Sequence, residues 1–261
     1  MKIWAIANQK GGVGKTTTVI SLGGLLATKG QRVLAIDLDP HGSLSSYLNI
    51  SDNEGVYHFF SQANIEFDNI SRFIVKTKFA LLDIIPAALS LATLDRELGK
   101  SPGMGLRLKN SLCCLEPFYD FILLDCPPVV GILMINAIAA CDMLMIPVQT
   151  EYLAIRGLKQ MMATVKMVER SKNKAIHHII IPTLFDGRTK ASHNALDTIR
   201  ELFPHAVWPY VIPQDTKFRD ASVEGVPPSL YFPTAKGVWA YSALLKAILL
   251  KSLTVSDKCV V

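Results

Sequence analysis

The sequence has few cysteines, and none is arranged for metal binding or for a disulfide framework. The five are an odd number without a C-x-x-C pair: Cys113, Cys114, Cys126, Cys141 and Cys259. Zinc sites and disulfide-rich secreted domains both depend on spacings that are missing here. We expect these residues to be small apolar core residues in a reducing compartment.

The sequence also lacks a long uninterrupted apolar run. Its most apolar region, 121–148, is broken by Asp125, Pro127, Pro128 and Asp142, whereas a membrane-spanning helix needs about 18 consecutive apolar residues. The amino terminus does not show the basic, apolar and small-residue segments of a signal peptide, because Met1 and Lys2 lead directly into a buried-strand pattern. We therefore expect a cytoplasmic protein without a transmembrane span.

Composition excludes disordered and low-complexity chains. The 261 residues include 27 Lys and Arg against 22 Asp and Glu, for a net charge of +5, and they are 50% hydrophobic and 19% charged. Such a chain can bury a sizeable core. No linker or internal repeat divides it. We predict one domain over 1–261, with a tail that frays after about residue 252, and we assign no structure to 51–78.

Short apolar runs alternate with stretches of helical periodicity, which predicts an α/β fold with a mainly parallel central sheet and helices on both faces. The predicted strands are Ile3 to Ala7, Val33 to Asp37, Leu82 to Ile85, Phe121 to Asp125, Met143 to Val148, Ile179 to Thr183 and a segment near Val207 to Ile212. The predicted helices are Lys15 to Thr28, Gly105 to Leu115, Ile132 to Ala140, Ile155 to Glu169, Ser192 to Phe203 and Ala235 to Leu250.

A glycine-rich loop between the first strand and the first helix is the strongest chemical signal. Glycines bring backbone N–H groups close to phosphate oxygens, and the helix N-terminus adds a positive dipole. Lys15 would reach the β and γ phosphates, and the Thr16 hydroxyl would ligate Mg²⁺. The usual pattern has glycine where Gln9 stands, so the loop is a variant with an additional lysine, Lys10. The alternative is a structural turn with an incidental lysine.

Carboxylates follow two of the predicted strands. Asp125 ends a buried strand, where an ionised side chain is costly unless it binds a cation, and Mg²⁺ is the natural partner. Asp37 and Asp39 lie at and just past the end of another strand, where open α/β sheets bind ligands. Either could instead cap the next helix, and the Pro127-Pro128 turn that follows Asp125 could be a simple strand terminator.

The motifs resemble those of the ParA/MinD family of ATPases. Residues 10–17, KGGVGKTT, are similar to the family's deviant Walker A motif, 37–42 to its second acidic motif, and 122–128 to its Walker B motif. The stretches 147–152, 186–189 and 211–213 are similar to Soj-type ParA proteins in order and spacing. Because the first predicted strand begins at Ile3, the sequence lacks the N-terminal extension of larger plasmid ParA proteins, which favours the short Soj-type class.

The resemblance implies a three-layer P-loop NTPase fold, ATP and Mg²⁺ as cofactors, and specific roles for site residues. Lys10 would be the signature lysine that reaches the partner's phosphates across an ATP-sandwiched dimer; otherwise it is a solvated loop lysine. Lys15 would act with it, and Asp39 would orient the hydrolytic water. Thr16, Asp37 and Asp125 would hold Mg²⁺, partly through water. The expected nucleotide-binding residues are Gly11, Gly12, Val13, Gly14, Lys15, Thr16, Thr17 and Pro213.

Two positions bear on what the ATPase does. His41 stands where Soj-type proteins usually carry glutamine, which leaves the hydrolysis rate open while nucleotide binding stays expected. Arg188 and Lys217 lie near positions where Soj-type proteins carry arginines that bind DNA phosphates without sequence preference, and Arg219 follows closely. A few solvated basic residues would look the same.

The resemblance favours an ATP-dependent dimerisation switch that binds nucleoid DNA and positions a chromosome, a plasmid or a protein cluster. A ParB-like or other activating protein would trigger hydrolysis and release. Alternatives are a membrane-surface ATPase of the MinD type, a metabolic P-loop enzyme such as a synthetase, and a nucleotide-gated scaffold that does not hydrolyse. The evenly apolar C-terminal helix, with few basic residues, favours packing in the fold over a stable membrane anchor.

Overall fold

A seven-stranded sheet forms the centre of the computed structural model, which describes residues 1–51, 53–61, 66–98 and 107–256. The strands are β1 (Lys2–Ile6), β2 (Val33–Asp37), β3 (Val75–Lys76), β4 (Leu82–Ile85), β5 (Phe121–Asp125), β6 (Met143–Gln149) and β7 (His178–Thr183). Their order is β3-β4-β2-β5-β1-β6-β7, and every neighbouring pair is parallel except β3 with β4. The predicted mainly parallel sheet is confirmed.

Helices cover both faces of the sheet. They are α1 (Lys15–Ala27), α2 (Ser43–Tyr47), α3 (Gly55–Ser61), α4 (Phe67–Ser71), α5 (Leu91–Leu98), α6 (Arg107–Leu112), α7 (Ile132–Ala140), α8 (Tyr152–Lys172), α9 (Lys190–Leu202), α10 (Lys217–Val223), α11 (Pro228–Tyr231) and α12 (Lys236–Ser256). One apolar core joins the sheet to α7, α8 and α9, and a second joins its other face to α1 and α12. The strands are almost wholly buried between these layers, which explains their continuous apolar sequences. Within the described residues, no helix has the length and apolar composition that crossing a bilayer requires.

The register of the central strands brings the predicted carboxylates together. Asp125, the last residue of β5, pairs with Ile6 of β1 on one side and with Asp37 of β2 on the other. The backbone N–H of Leu38 donates to the Asp125 carbonyl at 2.9 Å. The carboxyl ends of three parallel strands therefore meet at one edge of the sheet, where the glycine-rich loop begins after β1.

The predicted strand over 207–212 is wrong. The segment lies beside β7 and makes an isolated parallel bridge from Val207 to Ile180, but its bonding to that strand is interrupted. The N–H of Trp208 donates to Ile180 and that of Ile212 to Pro182, at 2.9 and 2.8 Å. Between these two bonds the segment advances four residues while β7 advances two, because the chain bends at Pro209 and Tyr210, so no continuous ladder forms.

Element boundaries differ modestly from the sequence-based ones. The predicted helix over 105–115 is α6 followed by a 3-10 turn over Cys113–Leu115, and its first two residues lie outside the described part of the chain. Helix α8 is longer than predicted at both ends, and α12 continues to Ser256, past the expected fraying point. Residues 257–261, with Cys259, lie outside the described residues. The unassigned stretch 51–78 contains α3, α4 and the antiparallel edge strand β3.

Candidate nucleotide-binding site

The glycine-rich loop forms an open backbone cradle. Gly12 and Gly14 have φ angles of 73° and 90°, a left-handed conformation that glycine adopts without strain. A Cβ atom added to Gly11, Gly12 or Gly14 would meet no heavy atom within 4 Å, so the space in front of the loop is free. Gly14 precedes α1 and supplies no side-chain cap, which leaves the first N–H groups of this 13-residue helix available to an anion.

Long-range contacts hold this loop in place. The hydroxyl of Thr183, at the end of β7, donates to the Val13 carbonyl at 2.8 Å. The side chain of Asn8 accepts from the Lys10 N–H at 3.2 Å and donates to the Pro147 carbonyl at 2.6 Å. Residues of β6 and β7 therefore both hold the loop in place.

The two lysines of the loop have different surroundings. Lys15 is only 8% exposed, and its Nζ lies 3.3 Å from the Lys10 carbonyl, beneath the cradle. The Lys10 ammonium forms an ion pair with the Glu151 carboxylate of the same chain, and both side chains are partly exposed. The Lys10 ammonium is therefore already paired within its own chain.

A buried carboxylate with one unpartnered oxygen lies beside the loop. The Thr16 hydroxyl donates to Asp125 Oδ2 at 2.7 Å, while Asp125 Oδ1 has no hydrogen-bond partner among the described residues. Burial, and then the nearby Asp37 carboxylate, raise the pKa of Asp125 well above its usual value. A buried carboxylate facing a threonine hydroxyl is an oxygen donor set that suits Mg²⁺. These residues fit the expected metal.

Asp37 has less free capacity for a metal. Its Oδ2 accepts from the N–H and hydroxyl of Ser45 at 2.9 and 2.7 Å, and its Oδ1 accepts from the Asp39 N–H at 3.2 Å. Burial raises the pKa of Asp37 to about 6, opposed by the bonds from Ser45. Asp37 thus orders the start of α2, and Asp125 is the stronger candidate ligand.

Asp39 is paired with the residue that departs from the family pattern. Its Oδ1 accepts from the backbone N–H of His41 at 3.0 Å and lies 2.8 Å from Nδ1 of the His41 ring. Asp39 is 8% exposed at the margin of the cleft, whereas the His41 ring points outward. The imidazole therefore contacts the carboxylate that the resemblance assigns to water activation.

A cleft of about 810 Å³ extends from the cradle. Its wall includes Gly11, Gly12, Gly14, Lys15, Thr16, Thr17, Asp39, His41, Pro128, Pro213, Gln214, Phe218 and Arg219. Pro213, predicted to bind nucleotide, lies on this wall, as does Arg219, predicted to bind DNA. The volume and the apolar residues beyond the loop fit a nucleoside attached to the phosphates.

The other two predicted DNA-binding residues do not line the cleft: Arg188 is in the loop before α9, and Lys217 is the first residue of α10. Phe185 and Pro213 form a parallel bridge, which brings the loop of Arg188 beside the segment that leads into α10. The Arg188 guanidinium is bonded by two nitrogens to Asp186, at 2.9 and 2.8 Å. Lys217 is exposed, with its Nζ 5.6 Å from the centre of the Phe232 ring.

Sequence reasoning missed Glu151, Thr183 and Asn8. Glu151 belongs to the quoted stretch 147–152, but nothing in that stretch indicates contact with Lys10, 141 residues away. Thr183 ends a predicted strand at the edge of the sheet that carries the loop. This position could have indicated that Thr183 contacts the loop.

Comparison with known proteins agrees with the geometry. Residues 1–178 match the AAA domain family AAA_31. The sporulation initiation inhibitor protein Soj of Bacillus subtilis (strain 168) is 38% identical over 248 residues, which cover 95% of this chain and 98% of that protein. The chromosome-partitioning ATPase Soj of Treponema pallidum (strain Nichols) is 36% identical over 95% of this chain and 96% of its own length.

A solved structure also matches over nearly the whole chain. Cobyrinic acid a,c-diamide synthase from Mycobacterium smegmatis, with bound ADP and magnesium, has a TM-score of 0.79 at 30% identity and covers 95% of this chain and 94% of its own. The fold predicted from the resemblance is confirmed. The chain belongs to the ParA/MinD family of P-loop ATPases and is similar to its Soj and ParA members over most of its length.

Proposed function

We propose that this protein is a Mg²⁺-dependent ATPase that uses ATP to dimerise, binds DNA as a dimer and positions or segregates a cargo. The observation that carries the proposal is the open cradle of Gly11, Gly12 and Gly14 beside the unpartnered oxygen of Asp125. Together they offer backbone donors for phosphates and an oxygen donor for a cation at one edge of the sheet. The similarity to ParA and Soj proteins that are named for chromosome partitioning supports the same function.

The residues around the cradle divide the chemistry between them. The N–H groups of the loop and of the first turn of α1 bind phosphate oxygens, and Lys15 adds a charge beneath them. Thr16 and Asp125 would hold the metal, and Mg²⁺ when bound neutralises charge on the transferred phosphoryl group. Asp39 is placed to orient a water molecule, and His41 contacts that carboxylate.

Dimerisation is supported by what surrounds the cleft. Val129 and Val130 follow β5, and Tyr152 and Leu153 begin α8, so all four lie at the carboxyl edge of the sheet that carries the cradle. They are 63%, 41%, 84% and 72% exposed. Such apolar side chains favour contact with another protein surface. A closed dimer would replace the Glu151 partner of Lys10 with the phosphates of the second subunit, which places a cation at the developing charge.

In this proposal the bound nucleotide controls DNA binding, and DNA binding in turn controls the positioning of the cargo. Arg188, Lys217 and Arg219 form the expected phosphate-binding surface near the cleft, and closure of a dimer would double it. An activating partner protein of the ParB type would stimulate hydrolysis and release the dimer. We therefore place the protein in the cytoplasm, associated with the nucleoid.

A small-molecule synthetase is the second candidate, because the matched synthase shares the fold at 30% identity. The two candidates differ in what ATP changes. In a synthetase, ATP turnover depends on a small-molecule acceptor, and nucleotide state has no reason to alter affinity for DNA.

The test is a fluorescence anisotropy titration of random-sequence duplex DNA with Mg-ATP and with Mg-ADP. The proposal predicts binding to all sequences alike and much tighter binding with ATP, which Lys217→Glu weakens for every sequence. Equal affinity in both nucleotide states would contradict it. Absence of DNA binding together with ATP-dependent sedimentation on liposomes would replace it with the MinD-type alternative.

A further inference from the structure

The positive charge of this protein is concentrated on one helix. The segment 152–174, which contains α8 and the turn after it, holds six of the 27 Lys and Arg residues and only one of the 22 Asp and Glu residues, Glu169. The rest of the chain has equal numbers of both and carries no net charge. The net charge of +5 therefore comes from this one segment, and the charges of the rest of the chain balance.

Four of these cations form a single stripe along α8, defined here as Arg156, Lys159, Lys166 and Arg170. At about 100° per residue, the four positions lie within about 80° of one another around the helix axis, and at 1.5 Å per residue they extend over about 21 Å. All four side chains are exposed, whereas the opposite face of α8 buries Leu158, Met161, Val165 and Val168 against the sheet. The helix thus has one face in the core and one basic face in solvent.

None of the four cations of the stripe forms an ion pair with another described residue. Glu169 lies off the stripe and accepts from the Ile176 N–H at 2.9 Å. Three more cations, Lys109, Lys172 and Lys174, lie close to one another at the carboxyl end of α8. Burial, and then the charges of Lys109 and Lys174, lower the pKa of Lys172. The structure therefore leaves the stripe without a compensating anion and continues it with more positive charge.

The chemistry between the cations favours a phosphate backbone as the ligand. From Arg156 to Arg170 the sequence contains no aromatic residue, and the exposed residues between the cations are Gln160, Ala163 and Met167, of which Met167, 50% exposed, is the one large apolar side chain. Protein partners are usually held by aromatic or large apolar anchors seated in pockets, whereas phosphates are held by cations without such anchors. A row of cations about 21 Å long on a convex helix matches a row of phosphates on duplex DNA.

We propose that the α8 stripe is a second DNA-binding surface, which contacts backbone phosphates independently of Arg188, Lys217 and Arg219. The inference rests on the proposed function in that DNA is the partner, but it assigns the contact to another face of the molecule. Because the stripe is complete in one subunit, it acts in both nucleotide states and adds to any ATP-dependent contact. The stripe accounts for the DNA affinity that the monomer keeps when no dimer forms.

The test measures the salt dependence of DNA affinity for the double variant Lys166→Gln/Arg170→Gln. The control is Lys29→Gln/Lys246→Gln, which removes the same charge from exposed positions after α1 and on α12, at the other face of the sheet. Affinity for a random 30-base-pair duplex is measured by anisotropy with ADP and with ATP at several salt concentrations. Thermal unfolding and ATP binding are measured for each variant to show that the fold is intact.

Each lost phosphate contact should reduce the magnitude of the negative slope of log K against log salt by about 0.9. The stripe variant loses two contacts, so the slope should become shallower by about 1.8 per bound protomer in both nucleotide states. The control is expected to leave the slope unchanged. An unchanged slope in the stripe variant would overturn the inference, as would binding of the wild type to anionic vesicles but not to DNA. A shallower slope with equal affinity in ADP and ATP would support the stripe and contradict the ATP-gated function.

Discussion

Replacement of Asp125 with asparagine should make the nucleotide-free protein more stable. The side chain is 1% exposed, its Oδ1 has no partner and its Oδ2 has only the Thr16 hydroxyl. The effective penalty for burying one uncompensated ion is several kcal/mol, whereas an unpaired amide N–H costs about 1–3 kcal/mol. We expect a net gain of about 1–2 kcal/mol, or roughly 2–8 °C in Tm for a chain of this length.

The sign of the pH dependence follows from the raised pKa of Asp125. Below the usual pKa of a carboxyl group, near 4, the side chain is protonated in the folded and unfolded states and costs nothing. Between that value and its higher folded pKa, the carboxyl ionises in the unfolded chain but stays protonated in the folded protein, so stability falls as pH rises and the loss is complete above the folded pKa. The advantage of Asp125→Asn should therefore be present at pH 8 and disappear at low pH.

With Mg-ATP bound, the wild type should be more stable than Asp125→Asn, which is the reverse of the order without nucleotide. Ligand at 100 times its Kd stabilises a protein by about 2.7 kcal/mol, and the variant should lose the part of this gain that depends on the metal. Differential scanning fluorimetry at pH 8, with and without Mg-ATP, measures both effects.

The matched control is Asp120→Asn, since the Arg32 guanidinium bonds the Asp120 carboxylate and lowers its pKa to about 2. The same chemical change there should lower Tm at pH 8. A nucleotide-free Asp125→Asn protein that melts below the wild type at pH 8 would refute the reasoning.

Three further substitutions test the roles of individual residues. Lys15→Ala should lose ATP affinity because the phosphates lose their buried cation, and retained micromolar binding by calorimetry would contradict this. Asp39→Ala should bind ATP and dimerise but release phosphate more slowly in a steady-state assay, and an unchanged rate would remove Asp39 from the reaction. Glu151→Gln should free Lys10 from a partly exposed ion pair worth up to about 1 kcal/mol. The ATP concentration needed for half-maximal dimerisation should therefore fall by up to about fivefold. An increase in that concentration would show that Glu151 assists closure of the dimer.

The nucleotide cradle could be predicted from sequence because its determinants are local. The glycines, Lys15 and Thr16 lie within six consecutive positions, 11–16, at the junction of a strand and a helix, and Asp125 stands out as a charge at the end of an apolar run. Their geometry follows from the parallel sheet, whose carboxyl edge collects residues that are far apart in the chain. The fold was predictable for the same reason, since the strands are continuous apolar runs.

The contacts that adjust the site could not be predicted in this way. The pairing of Lys10 with Glu151 and the bond from Thr183 to Val13 join residues 141 and 170 positions apart, and no sequence pattern links them. The segment over 207–212 has the apolar composition of a strand, but the chain bends at Pro209 and Tyr210 and its pairing with β7 is lost there. The elements within 51–78 are too short to show a periodicity.

Light scattering of the protein with Mg-ADP and with Mg-ATP measures whether ATP drives the chain to dimerise. The chain has a mass of 28.7 kDa, and the account predicts this mass with ADP and about twice this mass with ATP, most fully in Asp39→Ala, where hydrolysis is slow. Lys10→Ala, which removes the cation proposed to act across the interface, should keep the monomer mass while still binding ATP. Equal masses for the wild type in both nucleotides would contradict the account.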